Sequence, residues 1–238
     1  MHSPTPNYLT KIIAMIYPSV KFILFGILPL LLLLIFLFVV TINVVQVAAA
    51  KLGFSFGMAL FLFALIIFGS KINIPLYRFE SQVRIPAKQS QGIPFQLIRL
   101  PTVVALNVGG GLIPVLLALY QLGRANVLAI ILSTAIVSLV SYRSAVVQGI
   151  GIRINYLIVS LTAAVSAFLL TKGIQVPPVA FASGAIGALI GGDLLHLPQI
   201  FKAGPGVSSI GGGGGADGIA LCGLYALLLS LLIEIGFV

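Results

Sequence analysis

The stretch FILFGILPLLLLLIFLFVVTINVVQVAAA, from Phe22 to Ala50, contains no charged residue. The run begins near Val20 and is interrupted only by Lys21. Because about 20 apolar residues suffice to cross the hydrocarbon core of a bilayer, this run predicts a transmembrane helix. At about 1.5 Å per residue it would exceed about 40 Å, so we expect it to tilt or to project. It is too long for the apolar part of a cleaved signal peptide, and we interpret it as a retained first helix.

The composition of the whole chain agrees with this interpretation. Apolar residues make up 60% of the chain and charged residues 7%, and the mean hydropathy is +1.21. A soluble domain carries about a quarter charged residues, so a water-soluble fold is excluded. The length of 238 residues suits one compact domain. We predict a cytoplasmic N-terminal segment over residues 1–19 and a single transmembrane domain over residues 20–238.

Six further apolar runs follow the first, which predicts an all-α fold: a polytopic transmembrane helix bundle of about seven spans. Glycine and proline in the third, sixth and seventh spans favour broken helices there. The polar connection over residues 70–100 is predicted to be a cytoplasmic loop. The six further runs are Phe54–Gly69, Pro101–Leu122, Ala125–Tyr142, Ile154–Thr171, Val176–Leu197 and about Ser209–Val238.

The positions of lysine and arginine predict the orientation, because cytoplasmic loops carry an excess of these residues. With seven spans, three of the 13 cations fall on one side: Lys51, Arg124 and Lys172. The other ten fall on the opposite side: Lys11, Lys21, Lys71, Arg78, Arg84, Lys88, Arg99, Arg143, Arg153 and Lys202. This asymmetry predicts a cytoplasmic N-terminus and a C-terminus outside the cell.

The formal net charge of +9 does not indicate nucleic-acid binding, because the cations are spread over short juxtamembrane loops. Membrane lipids are the partners that this pattern predicts. The single cysteine, Cys222, lies in the last span and is interpreted as a small buried apolar residue. No metal site and no cofactor are expected.

Two acids lie within apolar runs, Asp193 in the sixth span and Asp217 in the seventh. Placing an isolated aspartate inside the membrane costs about 3 kcal/mol of free energy on insertion scales. Ionisable residues at such positions usually have a function. The predicted topology places both at similar depth on helices that are neighbours in sequence. Two close carboxyls in low dielectric are expected to share a proton, as in aspartyl hydrolases. We therefore predict a catalytic pair, Asp193 and Asp217.

Glycines precede both acids, Gly192 directly before Asp193 and Gly215 shortly before Asp217. Small residues permit close helix approach or a break in the backbone. Structural roles remain open for both acids. Asp217 also suits the N-cap of a helix that begins after the glycines. Asp193 and His196 stand three residues apart, which places them on one helix face as a pair.

A second polar and glycine-rich cluster lies in the third span, where Asn107 is followed by Gly109, Gly110 and, further on, Pro114. These residues weaken a helix and leave a polar side chain at the break. Broken helices of this kind bind ions and substrates in transporters. Close packing around a kink is the alternative interpretation.

Four short segments support a resemblance to a known family. They are Gly69–Leu76 (GSKINIPL), Asn107–Gly110 (NVGG) with Pro114, Gly192–Leu195 (GDLL), and the glycine-rich stretch that ends at Asp217–Ile219 (DGI). In these the chain resembles the prokaryotic membrane family catalogued as domain of unknown function 1614. The resemblance implies a multi-pass protein of a prokaryotic cell membrane, without an assigned activity.

In layout alone, the two acids also resemble the intramembrane aspartyl proteases of the presenilin and signal-peptide-peptidase type. Those proteins carry one aspartate on an outward-to-inward helix and a second, after glycine, on the next helix. This chain has Gly192 where that group has tyrosine, and Ala216 where it has glycine. The resemblance implies an aspartyl hydrolase with Asp193 and Asp217 as its catalytic residues.

Three classes of function remain open from the sequence. The first is an intramembrane aspartyl hydrolase, whose partners would be transmembrane segments of other proteins. The second is an ion-coupled transporter or channel that binds a small ion at the acids, with Asn107 joining them. The third is a non-catalytic membrane assembly factor.

Overall fold

The computed structural model describes residues 27–86, 95–149, 151–201, 205–212 and 218–236, with the backbone alone for 82–86 and 95–97. The chain forms two compact units, Met1–Val47 and Ala48–Val238. The described part of the first unit is helical, and its side chains from residue 27 to residue 41 are exposed. The predicted N-terminal segment over residues 1–19 lies outside the described residues.

The chain is mostly helical, as predicted. Side-chain oxygens of Ser55, Asn126 and Asn155 accept hydrogen bonds at the N-termini of three helices, which begin at Phe56, Val127 and Tyr156. The α-helices are α1 (Leu28–Lys51), α2 (Phe56–Gly69), α3 (Ile113–Gln121), α4 (Val127–Ser144), α5 (Tyr156–Thr171), α6 (Val176–Ala188), α7 (Leu197–Ile200) and α8 (Gly218–Gly236).

Within the described residues, four helical segments are long and apolar enough to cross a membrane: Leu28–Lys51, Val127–Ser144, Val176–Ile200 and Gly218–Gly236. Shorter apolar helical segments stand at the other three predicted spans: Phe56–Gly69, Val108–Gln121 and Tyr156–Thr171. Many large apolar side chains on these helices are exposed, which is expected where lipid rather than water surrounds them. The helices therefore indicate a membrane protein.

The polar connection over residues 70–100 is not the loop that we predicted. Strand β1 (Asn73–Pro86) pairs antiparallel with β2 (Phe95–Asn107), with a bulge between Pro75 and Tyr77. The same hairpin corrects the third span, because residues 101–107 are strand and helix begins only after Asn107. Proline disfavours a helix interior and is tolerated at a sheet edge or bulge, which suits Pro75 in this edge strand.

A third strand, β5 (Gly206–Ile210), lies between α7 and α8 and pairs in parallel with Thr102–Leu106 of β2. The resulting sheet has the order β1-β2-β5. A separate small hairpin joins β3 (Val146–Gln148) to β4 (Gly151–Arg153) between α4 and α5. The fold is therefore a helical bundle that carries a sheet, whereas an all-α fold was predicted.

Small residues form the contact between the helices of the second unit. A Cβ at Gly184 of α6 would lie only 2.9 Å from the Cβ of Ala226 on α8. Cys222 is fully buried in this contact, as predicted. Such close backbone approach replaces the hydrophobic driving force, which is weak between helices in lipid. The fully buried alanines of this core include Ala163, Ala164, Ala167, Ala180, Ala182 and Ala185.

Three buried serines connect α4, α5 and α6. The hydroxyls of Ser133 and Ser166 are 2.6 Å apart, and Ser133 donates to Ser183 over 2.9 Å. Ser166 and Ser183 also contact carbonyl oxygens of their own helices at 3.2 and 3.3 Å. Interhelical hydrogen bonds of this kind add modest stability and fix the relative position of helices in lipid.

Polar contacts also join several helix ends within the second unit. Lys51 Nζ lies 2.6 Å from a carboxylate oxygen of Glu234, near the end of α8. Arg124 lies over the ring of Tyr120, and its carbonyl accepts a hydrogen bond from Gln175. These contacts place the ends of α1, α3 and α8 and the beginning of α6 among charged and polar groups.

Replacing Gly191 with alanine is expected to destabilise the protein by about 1–3 kcal/mol. A Cβ at this position would overlap the backbone carbonyl of Ser138 on α4, and backbone atoms cannot move aside as a flexible side chain can. The matched control is Gly57→Ala, where a Cβ meets nothing within 4 Å and alanine improves helix propensity by about 1 kcal/mol. Thermal unfolding of the purified variants in detergent measures both effects. Equal unfolding temperatures for the two variants would contradict the close packing at Gly191.

Candidate functional site

Asp193 lies at the end of a π-helical turn, Leu189–Asp193, that continues helix α6. A 3₁₀ turn, Leu194–His196, follows and leads into α7. Gly191 and Gly192 weaken the regular helix here because they lack a side chain. Gly191 packs closely against the backbone of Ser138 on α4 and Gly192 against the side chain of Ile154, which together hold the irregular turn in place. The sixth predicted span therefore stays helical from Val176 to Ile200, with a π-helical and a 3₁₀ turn around the acid.

The Asp193 carboxylate connects this irregular part of the helix to the sheet. The residue is 7% exposed, and its Oδ2 accepts a hydrogen bond of 2.7 Å from the backbone N–H of Gly211. Gly211 directly follows β5 and has a φ of +79°, a conformation that favours glycine. A hydrogen bond to an ionised carboxylate is stronger than a neutral one, so this contact anchors the turn after β5.

His196 has partners other than Asp193. Its Nδ1 lies 3.1 Å from the carbonyl oxygen of Gly191 and 2.9 Å from that of Gly192. Because carbonyl oxygens only accept, Nδ1 carries the hydrogen. The ring packs against Tyr142 at a centroid distance of 4.8 Å. His196 therefore satisfies two carbonyls of the π-helical turn.

Asn107 stands where β2 ends and a second π-helical turn, Val108–Leu112, begins. It is 2% exposed, and its Oδ1 accepts a hydrogen bond of 2.6 Å from the N–H of Gly110. Its Nδ2 donates to the Ser70 carbonyl at 2.8 Å and to Asn73 Oδ1 at 3.1 Å. Asn73 Oδ1 also accepts from the hydroxyl of Ser209 on β5. Asn107 is thus the N-cap of the helix that begins at Val108, where a broken helix was predicted, and its amide joins α2, the hairpin and this helix.

Glycines bring the two π-helical turns to the turn at Gly211. A Cβ at Gly109 would overlap backbone atoms of Ile66 and Ser70 at the end of α2. A Cβ at Gly211 would lie 2.6 Å from the Cα of Gly111. The turn at Gly211 therefore contacts the Asn107 segment on one side and donates to Asp193 on the other. The two clusters that the sequence singled out separately belong to one connected site.

A small cavity of about 20 Å³ lies beside Asp193. This volume suffices for about one water molecule. The sequence did not indicate Ser208 and Ser209, because strand β5 was not foreseen. Among the described residues, no group of three or more metal-ligating side chains is present. The lining residues are Ile152, Ile154, Tyr156, Asp193, Ile200, Ser208, Ser209, Ile210, Gly211 and Gly218.

Two of the predicted site residues, Asp217 and Gly215, lie outside the described residues. Gly218, which directly follows Asp217 in the sequence, borders the same cavity as Asp193. The pairing of the two acids remains a prediction.

Comparison with curated proteins and with solved structures finds no match for this chain. A family model does match, over residues 67–229. The matched part begins near the end of α2 and extends into α8, so it contains the Asn107 segment, Asp193 and the turn at Gly211. Since the match covers more than half of the chain, the chain belongs to the family described as "Protein of unknown function (DUF1614)".

Proposed function

We propose that this protein is an intramembrane aspartyl hydrolase in which Asp193 and Asp217 act together on one water molecule. The observation that supports this most strongly is the cavity beside Asp193, because Gly218, the neighbour of Asp217, borders it. A pair of carboxyls needs a site that one water can occupy within about 3 Å of each. The cavity has about that capacity.

The hydrogen bonding of Asp193 suits this role. Gly211 N–H occupies Oδ2, which fixes the carboxyl plane and leaves Oδ1 for a water molecule. Ser208 and Ser209 line the cavity together with Tyr156 and Asp193, so its wall carries several polar groups. Pre-organised polar groups in a site of low dielectric are the usual source of catalytic stabilisation.

The chemistry requires the two acids in different protonation states. The ionised carboxylate accepts a proton from water as the water oxygen attacks the carbonyl carbon of a peptide bond. The protonated acid donates to the carbonyl oxygen and yields a neutral tetrahedral diol. Collapse of this diol breaks the C–N bond as a proton passes to the leaving amine. A transmembrane segment of another protein is the substrate class that suits a site at this position.

Ion-coupled transport is the second candidate, favoured by one specific observation. Two π-helical turns, at Val108–Leu112 and Leu189–Asp193, meet at the turn of Gly211. Such turns are frequent at functional sites, and a buried acid beside them suits the binding of an ion. A proton or small cation would then bind at Asp193. A non-catalytic role in membrane assembly, the third class, requires neither acid.

Asp193→Asn and Asp217→Asn are each expected to lower the hydrolysis rate by about 10²- to 10⁴-fold, because each removes a proton-transfer group. The double variant should lose little more, since residues that act as one unit are not additive. The matched control is Glu80→Gln, which removes an exposed acid that pairs with Arg99. The hydrolysis rate of each variant is measured as the cleavage of single-span reporter proteins.

A proton-flux assay in liposomes, run on the same variants, separates the candidates. Loss of cleavage with no flux in any variant supports the hydrolase. Flux that depends on either acid, without cleavage, supports transport instead. Full wild-type behaviour of both aspartate variants in both assays contradicts a functional role for the pair.

Gly218→Ala is expected to lower hydrolysis by about tenfold, or about 1.4 kcal/mol in activation free energy, while leaving the fold intact. The added Cβ would lie 3.5 Å from Tyr156 and 4.0 Å from Ile154, which are ordinary contacts. Both neighbours line the cavity, so the methyl group takes space from the water. Reporter cleavage and thermal unfolding are measured together. An unchanged cleavage rate in a stable variant would contradict the assignment of the cavity to the water.

The proposed location is the inner membrane of a prokaryote, with the N-terminus in the cytoplasm and the C-terminus outside. The asymmetry of lysine and arginine supports this orientation. In a Cys222→Ser background, Lys172→Cys is expected to react with an impermeant maleimide in intact cells. Arg78→Cys is expected to react only after the membrane is permeabilised. The opposite labelling pattern would contradict the proposed orientation.

A further inference from the structure

A polar pocket of about 570 Å³ opens next to the Asp193 cavity. It lies between the β3–β4 hairpin, the beginning of α5 and helix α8, which contributes Tyr225. Its volume falls within the range of about 300–1,000 Å³ that is usual for ligand sites. The Asp193 cavity, by contrast, holds about one water molecule. The larger space is called the outer pocket from here on.

Two side chains separate the outer pocket from the Asp193 cavity. Ile154 and Tyr156 line both spaces. Ile154 Cδ1 lies 4.0 Å, and Tyr156 Cε1 3.5 Å, from the position that a Cβ on Gly218 would take, and Gly218 lines the cavity. The tips of both side chains therefore reach the cavity, while both residues also face the outer pocket. A single layer of side chains divides the two spaces here.

Other walls of the cavity are closed by elements that move less easily. Ile200 and Ser208 are only 1% and 3% exposed, and Ser208 belongs to β5, which is held by its pairing with β2. Ile154 is also buried, but it closes the cavity with its side chain, and the missing Cβ of Gly192 leaves room for its Cδ1. Side chains rotate faster than paired strands move. Within the described residues, rotation of Ile154 and Tyr156 is therefore the simplest way to open the cavity.

The groups around the outer pocket suit a polypeptide better than an acyl chain. A peptide segment drawn out of a transmembrane helix exposes N–H and C=O groups, each of which needs a partner away from bulk water. Amides and hydroxyls both donate and accept hydrogen bonds, whereas an acyl chain uses neither. Five lining residues can form hydrogen bonds: Ser144, Gln148, Arg153, Asn155 and Tyr225.

We infer that the outer pocket is the entrance through which water and an extended segment of a substrate polypeptide reach Asp193, with Ile154 and Tyr156 as its gate. The nature of the substrate rests on the proposed hydrolase function. The connection between the pocket and the cavity does not depend on that function.

The gate is tested with a single thiol inside the cavity. Ser208→Cys, in a Cys222→Ser background, places it on a residue that lines the cavity but not the outer pocket. A buried thiol reacts only when its surroundings open, so its rate of modification by methyl methanethiosulfonate, followed by mass spectrometry, measures the opening. Adding Ile154→Val removes Cδ1 alone and is expected to raise this rate by about fivefold.

The matched control is Ile200→Val, which removes the same methyl group from a cavity residue that does not line the outer pocket. It is expected to leave the rate within about twofold of that of the parent Ser208→Cys protein. Thermal unfolding of each variant shows that folded proteins are compared. An equal rise in both variants, or no rise with Ile154→Val, would overturn the gate.

The polypeptide is tested with a thiol in the outer pocket itself. Gln148→Cys, in an Asp193→Asn and Cys222→Ser background, places an exposed thiol on its lining. An excess of the single-span reporter protein is expected to slow the reaction of this thiol with maleimide by about threefold, because a ligand in such a pocket covers the lining. Arg78→Cys, an exposed position on β1 outside the pocket, is the control and should react at the same rate with and without the reporter.

The two assays distinguish failure of the entrance from failure of the hydrolase. No slowing at Gln148→Cys, or equal slowing at both thiols, would overturn the polypeptide site, whether or not the wild-type protein cleaves the reporter. Slowing at Gln148→Cys alone, without cleavage by the wild-type protein, would support the site and contradict the hydrolase.

Discussion

The hydrogen bond from the Gly211 amide to the Asp193 carboxylate joins the two kinds of structure in this protein. On one side of it lies a helix that is interrupted by a π-helical turn, and on the other lies a strand that pairs with the hairpin. Gly211 is also in close contact with the backbone of the Asn107 segment. Through this one turn, the position of the acid depends on the sheet, and the position of the sheet depends on the acid.

The need to satisfy backbone groups away from water accounts for the polar residues around this turn. Helix ends and irregular helical turns leave N–H and C=O groups free, which in lipid must find partners within the protein. Asn107 supplies an acceptor for Gly110 at the start of one helix, and His196 supplies a donor for two carbonyls at the π-helical turn of the other. The glycines permit the close approach that these short hydrogen bonds require. Irregular backbone is thus tolerated here because the protein itself buries and satisfies it.

The helical segments were predictable because their uncharged runs are longer than the apolar runs in the core of a soluble protein. Cys222 was correctly expected to be buried. The hairpin was not predictable from the same features, because its mixture of proline, polar and basic residues is equally typical of a loop. The strand β5 has a glycine and two serines, which carry little strand preference, and it is stabilised by its pairing with β2. Asn107 and Asp193 could be selected as buried polar residues, but their meeting at Gly211 depends on that unforeseen strand.

The serines that connect α4, α5 and α6 contain fewer protons than their contacts require. Three hydroxyls hold three hydrogens, whereas four contacts need one: two between serines and two to carbonyl oxygens. With the hydrogen of Ser133 directed to Ser183, the single hydrogen of Ser166 has two acceptors within reach, Ser133 and the carbonyl of Ala163. Rotation about one side-chain bond moves that hydrogen from one acceptor to the other without moving either helix. The contact between α4 and α5 therefore contains one spare acceptor, and the hydroxyl of Ser166 keeps a partner in either orientation.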